Sequence, residues 1–210
     1  MLREEEIIER FPFYAKLGKR NKEYFLQKCN KATFSKKAQL LPSTGASFIF
    51  IRKGALNVFA TGDNGEEGFA FRVGKNEACF VSEKLIYKFC SNSEVIFIDE
   101  DTATWLKGVS VEAENLLLKL KIKNLESAMQ SINEIVFSSV DRRIAKHLLN
   151  ETARTHNNTV SVTHEELAVF IWSSREVVTR RLKALVEVGA IETSRGKIVI
   201  KNRDYLKKIK

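Results

Sequence analysis

The sequence predicts an α+β chain in three parts: a small antiparallel β-sandwich or barrel, one long helix, and a compact helix–turn–helix–hairpin unit. Three observations lead there. Short apolar runs alternate with turn residues from about Ala32 to Ile98. The stretch from Ser110 to Val140 contains neither Gly nor Pro and repeats apolar residues at heptad spacing. The last seventy residues hold most of the excess positive charge. At 210 residues the chain has room for one large domain or two small ones, and 44% hydrophobic with 29% charged residues is globular composition. No apolar run approaches the ~18 residues that cross a bilayer, and MLREEEIIER is not a secretory signal. Three cysteines cannot all pair, which argues against a disulfide-built fold. A cytoplasmic protein without membrane contact is expected.

Two short helices, Glu4–Leu17 and Lys19–Cys29, are expected ahead of the strands. The apolar runs Phe48–Ile51, Ala55–Ala60, Phe69–Phe71 and Val95–Ile98 are then separated by Pro42-Ser43, Lys53-Gly54, Gly62-Asp63-Asn64-Gly65 and Gly74-Lys75-Asn76. Strands of 4–8 residues recurring every 8–12 residues suit an antiparallel sandwich or barrel. Asp63-Asn64-Gly65 is the clearest hairpin turn, because Asn and Gly tolerate positive φ at low cost.

In the second part, Val111, Asn115, Leu118, Ile122, Leu125, Met129, Ile132 and Val136 follow one another at alternating intervals of four and three. That is a heptad seam more than three heptads long, with Asn115 its one polar member. A helix packed only on its own domain shows a broader apolar stripe, so the narrow seam favours pairing with a second copy. The alternative is an amphipathic helix that packs on its own domain alone.

Phe137-Ser138-Ser139 reads as a hinge, and Asp141 as the N-cap of a helix through Leu149. Thr163 with Glu166 three residues on forms a capping box ahead of Leu167, Ala168 and Ile171. Ser173 or Ser174 can cap a second helix, with Val177, Val178, Leu182 and Leu185 as its core face and Gly189 beyond its end. Ile191–Thr193 and Ile198–Ile200 flank Ser194-Arg195-Gly196-Lys197, a hairpin with a basic tip. Helix, turn, helix and hairpin make the winged helix-turn-helix layout. Residues 141–210 hold 15 Lys and Arg against 8 Asp and Glu, a net of +7 within the chain's +9. A polyanion is the natural partner, since basic side chains displace its condensed counterions.

With the valines and leucines inward, Arg175, Glu176, Thr179, Arg180 and Lys183 face outward. The start of such a helix meets base edges in the major groove of double-stranded DNA. Arginine offers paired donors to guanine O6 and N7, and a carboxylate accepts from cytosine N4. Thr163, Ser174, Arg195 and Lys197 complete the expected DNA-binding set.

Ser174-Arg175-Glu176-Val177-Val178-Thr179-Arg180, preceded by Thr163-His164-Glu165-Glu166-Leu167-Ala168, resembles the DNA-binding signature of the Crp/Fnr transcription regulators. Arg175, Glu176 and Arg180 match the family's base-reading positions one for one. Met129–Ile132 through Asp141–Ala145 resembles the helix-to-hinge junction of one branch of that family. The resemblance implies an N-terminal β-roll of the cyclic-nucleotide-binding-like jelly-roll type that senses an effector (1–108), a dimerisation helix with hinge (109–140), and a winged DNA-binding domain (141–210). It implies a homodimer on a palindromic operator, with RNA polymerase as a further partner and no catalysis. Trp172 stands where the family usually has Gly between the two helices. Either the turn geometry differs, or the ring packs on a neighbouring part of the chain. Asn76 likewise stands where relatives often have Gly, which suits a turn at positive φ.

Several effectors are excluded by counting. Cyclic-nucleotide sensing in this family resembles Gly-Glu-Leu followed by Arg-Ser-Ala or Arg-Thr-Ala, with the arginine on the cyclic phosphate. Here Cys79-Phe80-Val81-Ser82 through Lys88-Phe89-Cys90-Ser91 has neither, and no arginine occurs between Arg72 and Arg142. Cys29, Cys79 and Cys90 cannot supply four thiolates to an iron–sulfur cluster. All three histidines (His147, His156, His164) lie in the C-terminal part, which removes histidine-ligated haem and a cupin-type metalloenzyme. No metal site is expected, and the cofactor is left unknown. Arg72, Glu77, Cys79 and Ser82 are the candidate effector-pocket residues. Cys79 is a thiol sensor, a thiolate haem ligand or a buried small hydrophobe, since reactivity needs a lowered thiol pKa and access. Two rival functions stay open: a β-roll enzyme, and an effector-independent architectural DNA-binding protein.

Overall fold

The computed structural model describes residues 11–41 and 45–209. They form two compact units. The first runs to Thr61 and from Ala70 to Ala128; the second takes Gly62–Phe69 and everything from Met129. Among the described residues no helix is long and apolar enough to cross a membrane.

Among the described residues the first unit begins with a 3-10 helix, Pro12–Lys16, where the sequence suggested the last part of an α-helix. Pro12 at the first turn restarts the backbone, and the bonds from Tyr14 N to Phe11 O and Leu17 N to Tyr14 O are of the tighter i to i+3 type. The earlier residues of that expected helix, and the Pro42-Ser43 turn, lie outside the described residues. Helix α1 (Lys19–Lys28) follows as expected. Eight strands come next: β1 (Asn30–Phe34), β2 (Gln39–Leu40), β3 (Ala46–Lys53), β4 (Leu56–Thr61), β5 (Glu67–Val73), β6 (Ala78–Phe80), β7 (Leu85–Phe89) and β8 (Ser93–Asp99). They form two four-stranded sheets, in the orders β1-β8-β3-β6 and β2-β7-β4-β5. The Asn76 turn has φ 66°, the left-handed conformation the sequence suggested.

Strand β3 explains its own unbroken Phe48-Ile49-Phe50-Ile51 run. Ile49 and Ile51 join Leu56, Val58, Phe89 and Val95 in one core, while Phe48 and Phe50 join Phe11, Phe25, Ile96 and Ile98 in another. A strand buried on both faces has no polar side to alternate with. The second core is covered by α2 (Glu100–Val109), capped by the Asp99 carboxylate on Thr102 N at 2.7 Å, and by α3 (Val111–Phe137).

Helix α3 presents two different faces. Ala113, Leu117 and Asn124 are buried. The apolar members of the heptad seam are 48–69% exposed within the single chain. Asn124 Oδ1 accepts from Phe80 N at 3.0 Å and its Nδ2 donates to Ala78 O at 3.3 Å. Strand β6 is a sheet edge, so one buried amide supplies the pairing that a further strand would give.

The second unit contains α4 (Val140–Thr155), β9 (Thr159–Val160), α5 (His164–Ile171), α6 (Arg175–Glu187), β10 (Ile191–Ser194), β11 (Lys197–Ile200) and α7 (Arg203–Lys208). Its core is Ile144, Leu148, Leu167, Ile171, Val178, Leu182, Ile191 and Ile198, with a β10-β11-β9 sheet at one side. The break between α3 and α4 falls at Ser138-Ser139, as the sequence indicated. The cap differs: Ser139 accepts from Arg142 N at 3.2 Å, and Asp141 is already helical. Asp141 is engaged by Arg181 of α6, which donates Nε and Nη2 to its two oxygens at 2.7 and 2.6 Å. Arg143 Nη1 donates to Ile135 O and Ser138 O, covering carbonyls that the end of α3 leaves open.

Replacing Asn124 with Leu should strand the Phe80 N–H and Ala78 carbonyl and cost about 1–3 kcal/mol, read as a lower urea midpoint. Asn124→Asp keeps an acceptor for Phe80 but sets a buried carboxylate against the Ala78 carbonyl, so it should lose at least as much at neutral pH. An unchanged midpoint in Asn124→Leu would show that water satisfies this edge instead.

Candidate nucleic-acid interface

Three local devices set the orientation of α6. Thr163 caps α5: its Oγ1 accepts from Glu166 N at 3.1 Å, and Glu166 Oε2 accepts from Thr163 N at 2.9 Å. This is the reciprocal capping box the sequence announces. The turn between α5 and α6 then needs one left-handed residue, and Trp172 takes that conformation itself at φ 52°, ψ 60°. The turn geometry is therefore the ordinary one, at an expense of roughly 1–2 kcal/mol that glycine would not incur. The indole offsets part of this by donating Nε1–H to Phe69 O at 2.7 Å within the same compact unit. A side chain on Gly68 could not coexist with the ring, since a Cβ there would lie 2.3 Å from it. Finally Ser174 caps α6, accepting from Val177 N at 3.3 Å.

Helix α6 divides as expected. Val178, Leu182 and Leu185 are buried and Val177 is half-buried, while Arg175, Glu176, Arg180 and Lys183 are exposed and Thr179 is half-buried. Arg175, Glu176, Thr179, Arg180 and Lys183 line one open depression of about 450 Å³. A neighbouring cleft of about 550 Å³ is lined by Thr163, His164, Glu165, Arg175, Thr193, Ser194, Arg195 and Gly196. The hairpin tip, the start of α5 and the start of α6 thus share one concave surface. Lys197 is exposed beside it on β11. Ser174 serves this surface through its cap.

Glu176 sits at the N-terminal turn of α6, where its own backbone amide, the Ser174 hydroxyl and the Arg175 charge hold its carboxyl below the usual carboxylate range. At neutral pH it is an acceptor only. Arg175 approaches Glu165 at 3.9 Å, with both side chains well exposed, a pair weak enough to yield to a competing anion. His164 was not among the expected site residues. Its Nδ1 lies 2.9 Å from Thr179 Oγ1, which ties α5 to α6. Its position directly after the Thr163 cap was the one signal for it in the sequence.

The four candidate effector residues have different surroundings. Arg72 Nε donates to Asn57 Oδ1 at 2.7 Å. Ser82 N donates to the Tyr87 hydroxyl at 2.8 Å. Cys79 is fully buried in the core between the sheets, and burial pushes its thiol up to about 12. A thiol so placed behaves as a small hydrophobe, which removes the lowered pKa that sensing would require. Burial raises the Glu77 carboxyl, but hydrogen bonds from Lys123 and Gly74 N and the Lys123 charge outweigh it and leave the pKa lowered. Glu77 lines a hollow of about 230 Å³ with Phe50, Asn76, Ala78, Leu116, Leu120 and Lys123, without the other three. Among the described residues no group of His, Cys, Asp and Glu is placed to hold a metal ion.

Comparison with known proteins bears on the same surface. Residues 142–209 match the Crp-like helix-turn-helix domain family. The cyclic AMP receptor protein of Thermus thermophilus is 23% identical over 174 residues, covering 79% of this chain and 80% of that one. A Crp/Fnr-family regulator of Eubacterium rectale has a crystal structure that superposes with a TM-score of 0.88 at 23% identity, covering 95% of this chain and 97% of that one. The c-di-GMP responsive global regulator CLP of Xanthomonas campestris gives 0.70 at 20% identity, covering 85% and 96%. These structures share the fold: β-roll, long helix and C-terminal helix-turn-helix.

Thr163→Ala removes the hydroxyl half of the capping box and should lower stability by about 1 kcal/mol, seen as a fall in thermal midpoint. Thr163→Ser should restore most of it. If Ser restores nothing, the contribution of Thr163 is its methyl packing and not the cap.

Proposed function

We propose that this chain, a member of the Crp/Fnr family of transcription regulators with a DNA-binding helix-turn-helix, works as a homodimer that reads a two-fold symmetric operator under control of an effector held by the β-roll. One observation carries the reading: a capped helix, fixed by its own core, projects Arg175, Glu176 and Arg180 from its first turns beside a basic hairpin tip. Arg175 and Arg180 are the donors to guanine, Glu176 the acceptor from cytosine N4, and Thr163, Lys183, Arg195 and Lys197 the contacts to phosphate. Two such helices about 34 Å apart require half-sites centred 10–11 base pairs apart. The exposed seam Val111, Leu118, Ile122, Leu125, Met129, Ile132 and Val136, with Asn115 fixing its register, supplies the second copy. RNA polymerase is the downstream partner, in the cytoplasm.

The effector is a small molecule other than cyclic AMP, because the segment facing that role offers Lys84 and Lys88 but no arginine fork. It acts by binding the DNA-competent state more tightly than the incompetent one. A hundredfold preference supplies about 2.7 kcal/mol.

Arg180→Ala should cost about 1–3 kcal/mol per half-site on operator DNA and relax the base preference there. Lys197→Ala should weaken operator and scrambled DNA alike and reduce the salt dependence. Affinities for both DNAs across several salt concentrations separate the two. Equal losses on both DNAs in Arg180→Ala, with altered preference in Lys197→Ala, would contradict the assignment of α6. Binding-site selection that enriches no palindrome would favour an architectural protein instead.

A further inference from the structure

Helix α3 carries charged residues along both edges of its exposed seam, and their order is specific. In heptad lettering Asn115, Ile122 and Met129 take position a, and Leu118 and Leu125 take position d. The flanking g positions are then Glu114, Lys121 and Ala128. The flanking e positions are Glu112, Lys119, Glu126 and Asn133. Signs therefore alternate heptad by heptad along each edge. Glu112 is held by Lys16 at 2.8 Å, and the Lys121 ammonium lies 5.6 and 5.9 Å from the Phe48 and Phe80 ring centroids. Glu114, Lys119 and Glu126 have no ion-pair partner among the described residues. Lys119 and Glu126 are exposed and Glu114 is half-buried. We propose that these charges select the partner of the seam: a second copy of this chain, parallel and in register, with Glu114 of each copy against Lys119 of the other. The inference rests on the reading of the seam as a dimer contact, and adds which chains and which alignment that contact accepts.

The possible alignments differ in the charges they bring together. In a parallel pair a g residue meets the e residue of the partner's following heptad. In register this sets Glu114 against Lys119 and Lys121 against Glu126, each contact made twice and each of opposite sign. A slip of one heptad sets Glu114 against Glu126 in one direction. In the other it sets Glu114 against Glu112 and Lys121 against Lys119. An antiparallel pair can match the charges, Glu114 with Lys121 and Lys119 with Glu126. It then places Asn115 opposite Leu125, where the amide meets no polar group. In the parallel register the two Asn115 amides face each other and can donate and accept. Only that alignment satisfies the edges and the seam together. Another chain with the same apolar spacing fits the seam but fails at the edges unless it repeats this order of signs. Exposed ion pairs contribute little each and are screened by salt, so they bias the choice of partner while apolar burial supplies the affinity.

The test uses two full-length variants, Glu114→Lys and Lys119→Glu, each alone and the two mixed in equal amounts, with circular dichroism to confirm that both are folded. Alone, each variant brings like charges together twice in its own dimer. Its dissociation constant should rise about tenfold at ~0.1 M salt and return to the unaltered value at ~1 M salt. Mixed, the two variants restore opposite signs at both contacts. About nine dimers in ten should then hold one chain of each kind, counted by native mass spectrometry with one variant carrying a longer tag, against about half without preference. An antiparallel pair gains nothing from mixing, because each attraction it makes is matched by a repulsion. A mixed fraction of about half would therefore overturn the proposal, as would a weakening that survives ~1 M salt. A monomeric unaltered protein would instead overturn the reading of the seam, and this inference with it.

Discussion

Helix α3 carries apolar side chains on two faces, and one chain covers only one of them. Ala113 and Leu117 are satisfied within the chain, where they join Phe48, Ile96 and Leu106 in a single core. The opposite seam is left to solvent. Fully burying a Leu or Ile contributes about 1.5–3 kcal/mol, so a continuous exposed row over more than three heptads is a strong drive toward a partner with the same spacing. A second copy of the helix has that spacing by definition. Everything proposed for DNA reading depends on this, because one α6 addresses a half-site and two fixed copies address an operator.

The far end of the same helix is handled by polar groups. Ser139 caps the start of α4, Arg143 closes open carbonyls at the end of α3, and Arg181 clasps Asp141 through two parallel donors. The bidentate geometry fixes direction as well as distance, which a lysine would not do. Helix α6 is thereby joined to α4 through Arg181 and to α5 through His164 and the shared core. Its outward residues are positioned by contacts made on its other sides. The cost accepted for this arrangement is Trp172 in a left-handed turn, partly offset by its bond to Phe69.

Much of this was legible in the residues. Heptad spacing marked the row of apolar residues that α3 leaves exposed, because positions on one narrow helix face repeat at about 3.5 residues. Thr163 with Glu166, and Ser174, announced the starts of α5 and α6, since capping chemistry is local in sequence. Other features were hidden because they depend on distant partners. Asp141 was the expected cap of α4, but Arg181, forty residues away, claims its carboxylate and Ser139 does the capping. Asn124 looks in sequence like one more polar residue of a surface helix. Only the fold reveals that it completes a sheet edge. The candidate effector residues Arg72, Glu77, Cys79 and Ser82 were chosen from one stretch of chain, yet they fall on two strands and the loops beside them and take different partners. His164 could be noticed as a residue after a cap, but its bond to Thr179 joins two helices across a turn and has no spacing signature.

Sedimentation equilibrium of the full-length chain at micromolar concentration, beside Ile122→Glu, tests the central claim most directly. A charge introduced at an exposed seam position leaves the core beneath α3 intact, so the variant stays folded by circular dichroism. The account predicts a species of twice the 24.0 kDa chain mass for the unaltered protein, and a single-chain mass for the variant. A monomeric unaltered protein, or a dimer indifferent to Ile122→Glu, would contradict it.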